Sequence, residues 1–456
     1  MTTWDKTLYI RHPITKMYQF YKSDGNEELL MASNNQLHKQ SGESFVSVGN
    51  LTSSKVKFLT YKDRFVKDVV LVADYGQLKK YDGNSVSSVI PYDPSVEEQT
   101  NPGLNDLNIL TNFRTFAVKK DRIYAAAHPT VKNRVSFCFI DPIIGSAVYD
   151  YFPASYFFDV ATEDNDEIIE LKVFRDTLII FCRRSIWALH GDGPDLANFQ
   201  LVKINVPKGC IAPGSIQEVG NNLFYLSDDH VYSLFSTDRN FISAEPVSVN
   251  IHRILKDMGI SDKEKAAGVF HDNKYFLSFP SGLTLVYDTT LKSWTKYTNI
   301  KANDFLVLDE VLYFSTNEGF IYRFSDTKYS DDGSPIPFLL KTKIIDFDSP
   351  IHRKKVKRMW IAQKQWAGYH SSYDLFGTID QYELIDFKQT QVLNGAGAVW
   401  DESEWDNSLW DFSEVSQDEI KLRKKAKSLQ LQISNNKADE PISIFGLFFE
   451  YQRKKP

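Results

Sequence analysis

The sequence predicts an all-β protein: a β-propeller of about seven four-stranded blades, with six as the other count, followed by a C-terminal β-sandwich-like domain. Three observations carry this. Aromatic residues make up 14% of the 456 residues, with 23 Tyr, 32 Phe and 8 Trp, and such side chains suit a pleated, half-buried surface. Short apolar runs alternate with Gly, Asp and Asn turns, the pattern of strands and hairpins. The runs group in fours at a step of roughly 48 residues, close to the periods of about 40–50 residues found in propeller repeats.

The first unit shows the grammar. In residues 17–48, MYQFY, ELLMA, NNQLHK and FVSV are separated by SDG, Asn-Asn and SG turns. The same pattern recurs in KFLTY, VVLVA, QLKKY and VSSV (57–89), and in TFAV, RIYAAA, RVSFCFI and VYDYF (115–152). It continues through IIELKVF, TLIIFC, SIWALH and FQLVKI (168–204), then SIQEV, LFYL, HVYSLF and FISAEP (215–246). AGVF, KYFLSF, LTLVY and SWTKYT (267–298) follow, then FLVL, VLYFS, FIYRF and PFLLK (305–341). A lone four-stranded sheet leaves one face wet, and radial stacking buries both. A long β-sandwich would instead give single strands at about 8–12-residue spacing with no four-strand super-period.

Two insertions interrupt the propeller, which spans 1–345. Residues 90–112 hold Pro91, Pro94 and Pro102 and read as a long surface loop. Residues 251–266 read as a short helix with a capping box from Ser261 to Glu264. The period is lost near Asp346. The C-terminal domain, 346–456, opens on a basic strand, passes through a Trp-rich acidic loop at 400–412 and ends on the apolar ISIFGLFFEYQ.

Composition excludes several classes. Apolar residues at 42% and charged residues at 25% are ordinary for a globular chain. A net charge of −6 argues against coating nucleic acid by bulk charge. Three scattered cysteines, Cys138, Cys182 and Cys210, make neither a disulfide framework nor a metal spacing. Asp5, Lys6 and Arg11 interrupt the N-terminus where a signal peptide needs an apolar core, and no run is long enough for a membrane span. Synthesis in a cytosol, with no sequence-encoded export route, is the expectation.

Catalytic motifs are absent from the sequence: there is no G-x-S-x-G elbow, P-loop, H-E-x-x-H or EF-hand series. A non-enzymatic protein with no cofactor and no metal is expected. The acidic stretch Glu163, Asp164, Asp166 and Glu167 reads as a solvated turn, and Asp229-His230 as a hairpin turn. Two features stand out. Arg353, Lys354, Lys355, Lys357 and Arg358 put charge on both faces of one strand, as expected of an edge or a wet surface. Such a strand contacts phosphates non-specifically, pairs with a neighbouring subunit, or guards a sheet edge. Trp400, Trp405 and Trp410 lie in a stretch whose residues 401–419 carry eight acids and no base. Large aromatics in a charged loop suit a subunit or partner interface, the alternative being packing onto their own domain.

With these residues in view, the chain resembles the β-propeller tail-hub or nozzle proteins of tailed bacteriophages, including packaged-DNA stabilisation proteins. The matching block runs from Leu171 to Thr298 and includes FRDTLIIFCRRSIWALHGDGP, KGCIAPGSIQEVGNNLFYLSDDHVYSLF and IHRILKDMGISDKEKAAGVFHDNKYFLSFPSGLTLVYDTTLKSWTKY. The acidic Trp-rich loop, basic stretch and last strand also match. The resemblance implies a virion structural protein, made in the host cytoplasm, that forms a homo-oligomeric ring, a hexamer, in the tail or connector. Its implied partners are its own copies, portal or adaptor and other tail proteins, with non-specific contact to packaged double-stranded DNA. The first blade begins almost at once, unlike the family, which leaves open a collar or tail-tip ring. Two other readings remain: a receptor- or sugar-binding propeller of a tail tip, and a propeller hydrolase with carboxylates converging on the axis.

Overall fold

A computed structural model describes residues 3–62, 67–89, 112–120, 122–140, 147–148, 152–153, 156–160, 165–191, 198–236, 242–325, 327–364, 366, 369–380, 385–394 and 415–453. The chain divides into two compact units. One is Thr7–Arg323, and the other joins Met1–Lys6 to Phe324–Pro456.

The larger unit is a seven-bladed propeller. Its blades are four-stranded sheets whose innermost strands are Ile14–Tyr21, Lys57–Lys62, Thr115–Lys119, Ile168–Phe174, Gln217–Val219, Ala267–His271 and Asp304–Leu308. The last of these strands packs against the first, which closes the ring. The second strand of each blade explains why the sheets stack. Val69–Ala73 and Leu178–Cys182 are buried along their whole lengths, as strands covered on both faces must be. The core is therefore a series of wedges between blades rather than one centre. Phe20, Leu30 and Leu37 of blade one meet Phe58, Val70 and Tyr81 of blade two. Ile14, Met17 and Met31 of blade one meet Ile321 of blade seven. Each fully buried side chain of this kind stabilises by roughly 1.5–3 kcal/mol. Two-residue hairpins at Asn34-Asn35, Asp272-Asn273 and Asp309-Glu310 place both residues at positive φ, the twist that flanking strands require.

Three features differ from the sequence reading. PFLLK is not the outer strand of blade seven. That place is taken by Thr3–Tyr9, at the other end of the chain. Thr3 Oγ1 donates to the Ser325 carbonyl at 2.9 Å, Thr7 Oγ1 to the Ile321 carbonyl at 2.9 Å, and Ile10 N–H to the Gly319 carbonyl at 2.9 Å. The unit boundary accordingly falls at Arg323, not at 345. In blade three the outer strand is Phe157–Asp159, whereas Ala147–Val148 pairs with Phe139–Ile140 in a small separate ladder. Within 251–266 the helices are His252–Asp257 and Ile260–Glu264. No capping box forms, because Gly259 is the N-cap and Ser261 lies inside the helix. Glu264 binds Arg183 instead. Most of the loop 90–112 lies outside the described residues.

The smaller unit is a β-sandwich. One sheet orders Phe338–Lys341, Leu429–Asn435, His370–Ile379 and Phe387–Asn394, and the other orders Val415–Ala426, Lys354–Lys364 and Ile444–Arg453. Val356, Met359 and Ile361 of the second sheet pack with Tyr373, Leu375, Leu431 and Ile433 of the first. Alternation along Leu429–Asn435 is strict, with every second residue buried. No helix among the described residues is long and apolar enough to cross a membrane.

Candidate functional site

Two places concentrate polar chemistry: the axis of the propeller and the three-stranded sheet of the sandwich.

The axis holds a cavity of about 880 Å³ at the N-terminal ends of the innermost strands. Each innermost strand is the edge of its sheet, so its inner backbone groups are not used by the ladder. Of the lysines lining the cavity, three stand on the innermost strands of three blades: Lys16, Lys57 and Lys172. Lys16 Nζ sits 2.6 Å from Asp304 Oδ1, and the other oxygen of Asp304 accepts from Met17 N–H at 2.8 Å. Lys57 Nζ sits 3.1 Å from Glu170 Oε2. Glu170 also accepts from Thr115 Oγ1 and from Leu171 N–H. Glu170 and Asp304 are thus each held by a lysine, and Glu218 is the third carboxylate on the innermost strands. Lys172 has no hydrogen-bond or ion-pair partner among the described residues. Burial first, and then the neighbouring Lys57 charge, push its ammonium below the ordinary lysine range. Tyr75 and Arg114 stack at the mouth with the guanidinium 4.7 Å from the ring centroid.

The acidic stretch near 163–167 is structural where described. Asp166 accepts from Arg184 N–H and from Ser185 Oγ, and Glu167 pairs with Arg183 at 3.4 Å and Lys132 at 3.4 Å. Glu163 and Asp164 lie outside the described residues. No group of three His, Cys, Asp or Glu that could hold a metal occurs among the described residues. The cysteines are buried, and burial pushes the Cys182 and Cys210 thiols up to about 12, far from a nucleophilic thiolate.

The basic strand is not an edge. Lys354–Lys364 is the central strand of its sheet, hydrogen-bonded to Val415–Ala426 on one side and Ile444–Arg453 on the other. A bulge between Val356 and Arg358 lets the charge alternation slip, which is why both faces look charged in sequence. Lys354 points inward and is fully buried. Its three N–H donors are taken by the carbonyls of Asp346 at 2.6 Å, Lys427 at 2.9 Å and Ser349. Lys354 is therefore a strut and not a phosphate contact. Lys357 pairs with Glu450 at 3.1 Å, and Arg358 with Glu419 at 3.3 Å and Glu450 at 3.5 Å, all within the chain. Only Arg353 and Lys355 of the five point out without such a carboxylate among the described residues, and Lys421, Arg423, Lys425 and Lys427 are exposed on the adjoining strand and its end. Trp400, Trp405 and Trp410 lie outside the described residues.

The sandwich also exposes apolar side chains that the sequence reading did not single out. Ile351 is 77% exposed, Leu339 65%, Val392 63%, Phe445 62%, Ile385 59% and Phe448 54%. Phe448 stands directly across from Trp360 on the neighbouring strand. The alternation within ISIFGLFFEYQ carried this signal, because its aromatics fall on both faces.

No family model matches the chain, and no curated protein matches it. Similar solved structures include the extracellular domain of the hybrid two-component system BT3049 from B. thetaiotaomicron, 12% identical with a TM-score of 0.46, covering 77% of this chain and 46% of that one. BamB from Moraxella catarrhalis is 12% identical with a TM-score of 0.40, covering 69% of this chain and 83% of that one. The computationally designed Ika8 protein is 9% identical with a TM-score of 0.40, covering 70% of this chain and 99% of that one. The chain spans less than half the length of the BT3049 domain. None of these three names a phage tail component, so the resemblance to the tail family stands on the sequence segments alone.

Proposed function

We propose that the chain is a structural protein of a tailed-phage virion, one copy of a homo-oligomeric ring in the head-to-tail connector, tail hub or nozzle. The observation that carries this is the apolar surface of the sandwich. Of the sixteen large hydrophobic side chains exposed on the described surface, nine belong to the smaller unit. Scattered exposed hydrophobics are normal, but this density on the smaller unit is what a buried contact with another copy uses. Charge supports the same reading. Arg353, Lys355, Lys421 and Lys425 form a basic flank, and residues 401–414 carry six of the eight acids in the Trp-rich stretch. An acidic segment of one copy against the basic flank of the next orients a ring. The other use of the basic flank is non-specific contact with the phosphates of packaged DNA.

The test is the mass of the purified chain in solution, by light scattering and negative-stain microscopy. Wild type gives closed rings. The double change Phe445→Ser and Phe448→Ser, or Trp400, Trp405 and Trp410 all to Ala, gives folded, soluble single copies, since an interface aromatic contributes about 2 kcal/mol or more. A wild-type protein that stays monomeric up to ~100 µM, well above the Kd of a stable assembly, defeats the proposal.

A further inference from the structure

The axial cavity is the place where the charge of this protein changes sign. The whole chain holds 53 Lys and Arg against 59 Asp and Glu. The cavity wall holds seven Lys and Arg against four Asp and Glu. The excess is not spent on internal pairs. Asp304 takes Lys16, Glu170 takes Lys57 and Glu167 takes Lys132, while Lys172 faces the cavity with no hydrogen-bond or ion-pair partner among the described residues and only the longer-range charges of Glu218 and Glu170 to offset it. An unpaired ammonium in a partly desolvated site is unfavourable unless a counter-charge arrives. The lysines come from blades one, two and four, so their convergence is made by ring closure and not by any local motif. The volume, about 880 Å³, lies in the range of small-molecule sites and is far too small for a nucleic-acid duplex.

We infer that the propeller axis is a binding site for a compact phosphate-bearing polyanion, with Lys172 as its main charge contact and Lys16, Lys57 and Arg114 around it. The two lysine–carboxylate pairs hold Lys16 and Lys57 in place and keep the site from being so basic that it would collapse by self-repulsion. This site is separate from the ring contact proposed above and does not depend on it.

Titration calorimetry with sodium pyrophosphate tests it on the full chain, against sodium chloride at matched ionic strength and against citrate. Pyrophosphate is expected to bind one site per chain, and Lys172→Met to weaken it about tenfold or more, the loss that goes with one charge-assisted contact. Lys172→Gln serves if the Met variant does not fold. Lys256→Met, on an exposed helix away from the cavity, is expected to bind as wild type does. No heat beyond the chloride control overturns the inference. So does a folded Lys172 variant with wild-type affinity, and citrate binding more tightly than pyrophosphate overturns the phosphate class.

Discussion

Replacing Lys354 by methionine separates a structural lysine from its functional-looking neighbours. The ammonium donates to three main-chain carbonyls, those of Asp346, Ser349 and Lys427, and the residue has no exposed surface. Methionine fills the same volume but offers no donor. Each buried carbonyl left without a partner costs about 1–3 kcal/mol. Relaxation lets water reach some of these loop carbonyls. Removing the ammonium also refunds its own desolvation, which shows as a pKa held below the usual lysine range by burial. A net loss of about 3 kcal/mol is the expected balance. Lys355→Met, one residue along and exposed, should change stability by no more than about 0.5 kcal/mol. Urea unfolding read by tryptophan fluorescence makes the comparison. With a slope of about 2 kcal/mol per molar, the Lys354 variant should lose about 1.5 M in midpoint for the sandwich transition, and the Lys355 variant almost nothing. Equal midpoints for the two variants would refute the strut. They would return Lys354 to the exposed basic strand that the sequence alone describes.

Two further changes probe other parts of the molecule. Gly319 has φ +84°, and a Cβ there would lie 1.9 Å from the Ile10 carbonyl oxygen. Gly319→Ala should therefore loosen the closing strand and lower propeller stability by about 2–4 kcal/mol, read by calorimetry, and an unchanged melting temperature would show that the seam is not needed. Asp331 is partly buried with one carboxylate oxygen unpartnered, and burial raises its pKa from 3.8 to about 6. Between those values the folded state holds more proton than the unfolded state, so stability falls as pH rises through that window. Asp331→Asn should remove that slope, with little effect at pH 4 and a gain of about 1–2 kcal/mol at pH 7 after allowing for solvent screening. Parallel melting curves for wild type and variant between pH 4 and 7 would contradict it.

Much of the propeller is legible in the sequence, because each blade is a local object. A run such as VVLVA or LIIFC states its burial on both faces, and turns such as Asp272-Asn273 state where it reverses. What depends on distant residues is not legible. TWDKTLY stands ahead of the first four-strand unit and is assigned to no blade by the repeat, and only the finished ring shows that it belongs to blade seven. PFLLK looks like the fourth strand because it follows three others, yet it pairs with Leu429–Asn435. The basic strand misleads for a similar reason. A bulge breaks its two-residue alternation, and the carbonyls that bury Lys354 lie on loops at 346–349 and 427. The axial lysines leave a trace that could be read once blades are aligned: ITKMYQ, KFLTYK and IIELKV each put a lysine on an innermost strand.

The closing strand sets an order on synthesis. Thr3 is made before every blade of the propeller, and the carbonyl it binds, on Ser325, comes 322 residues later. At roughly 5–20 residues per second, the first strand waits about 16–64 seconds for its partner. During that time blade after blade can pair internally, but the ring stands open with blade one exposing the side that blade seven will cover. Ring closure is thus a late, long-range event that every earlier blade must outlast. A slow final phase in refolding, removed by a disulfide that ties Thr3–Tyr9 to Phe320–Ser325, would be its kinetic signature.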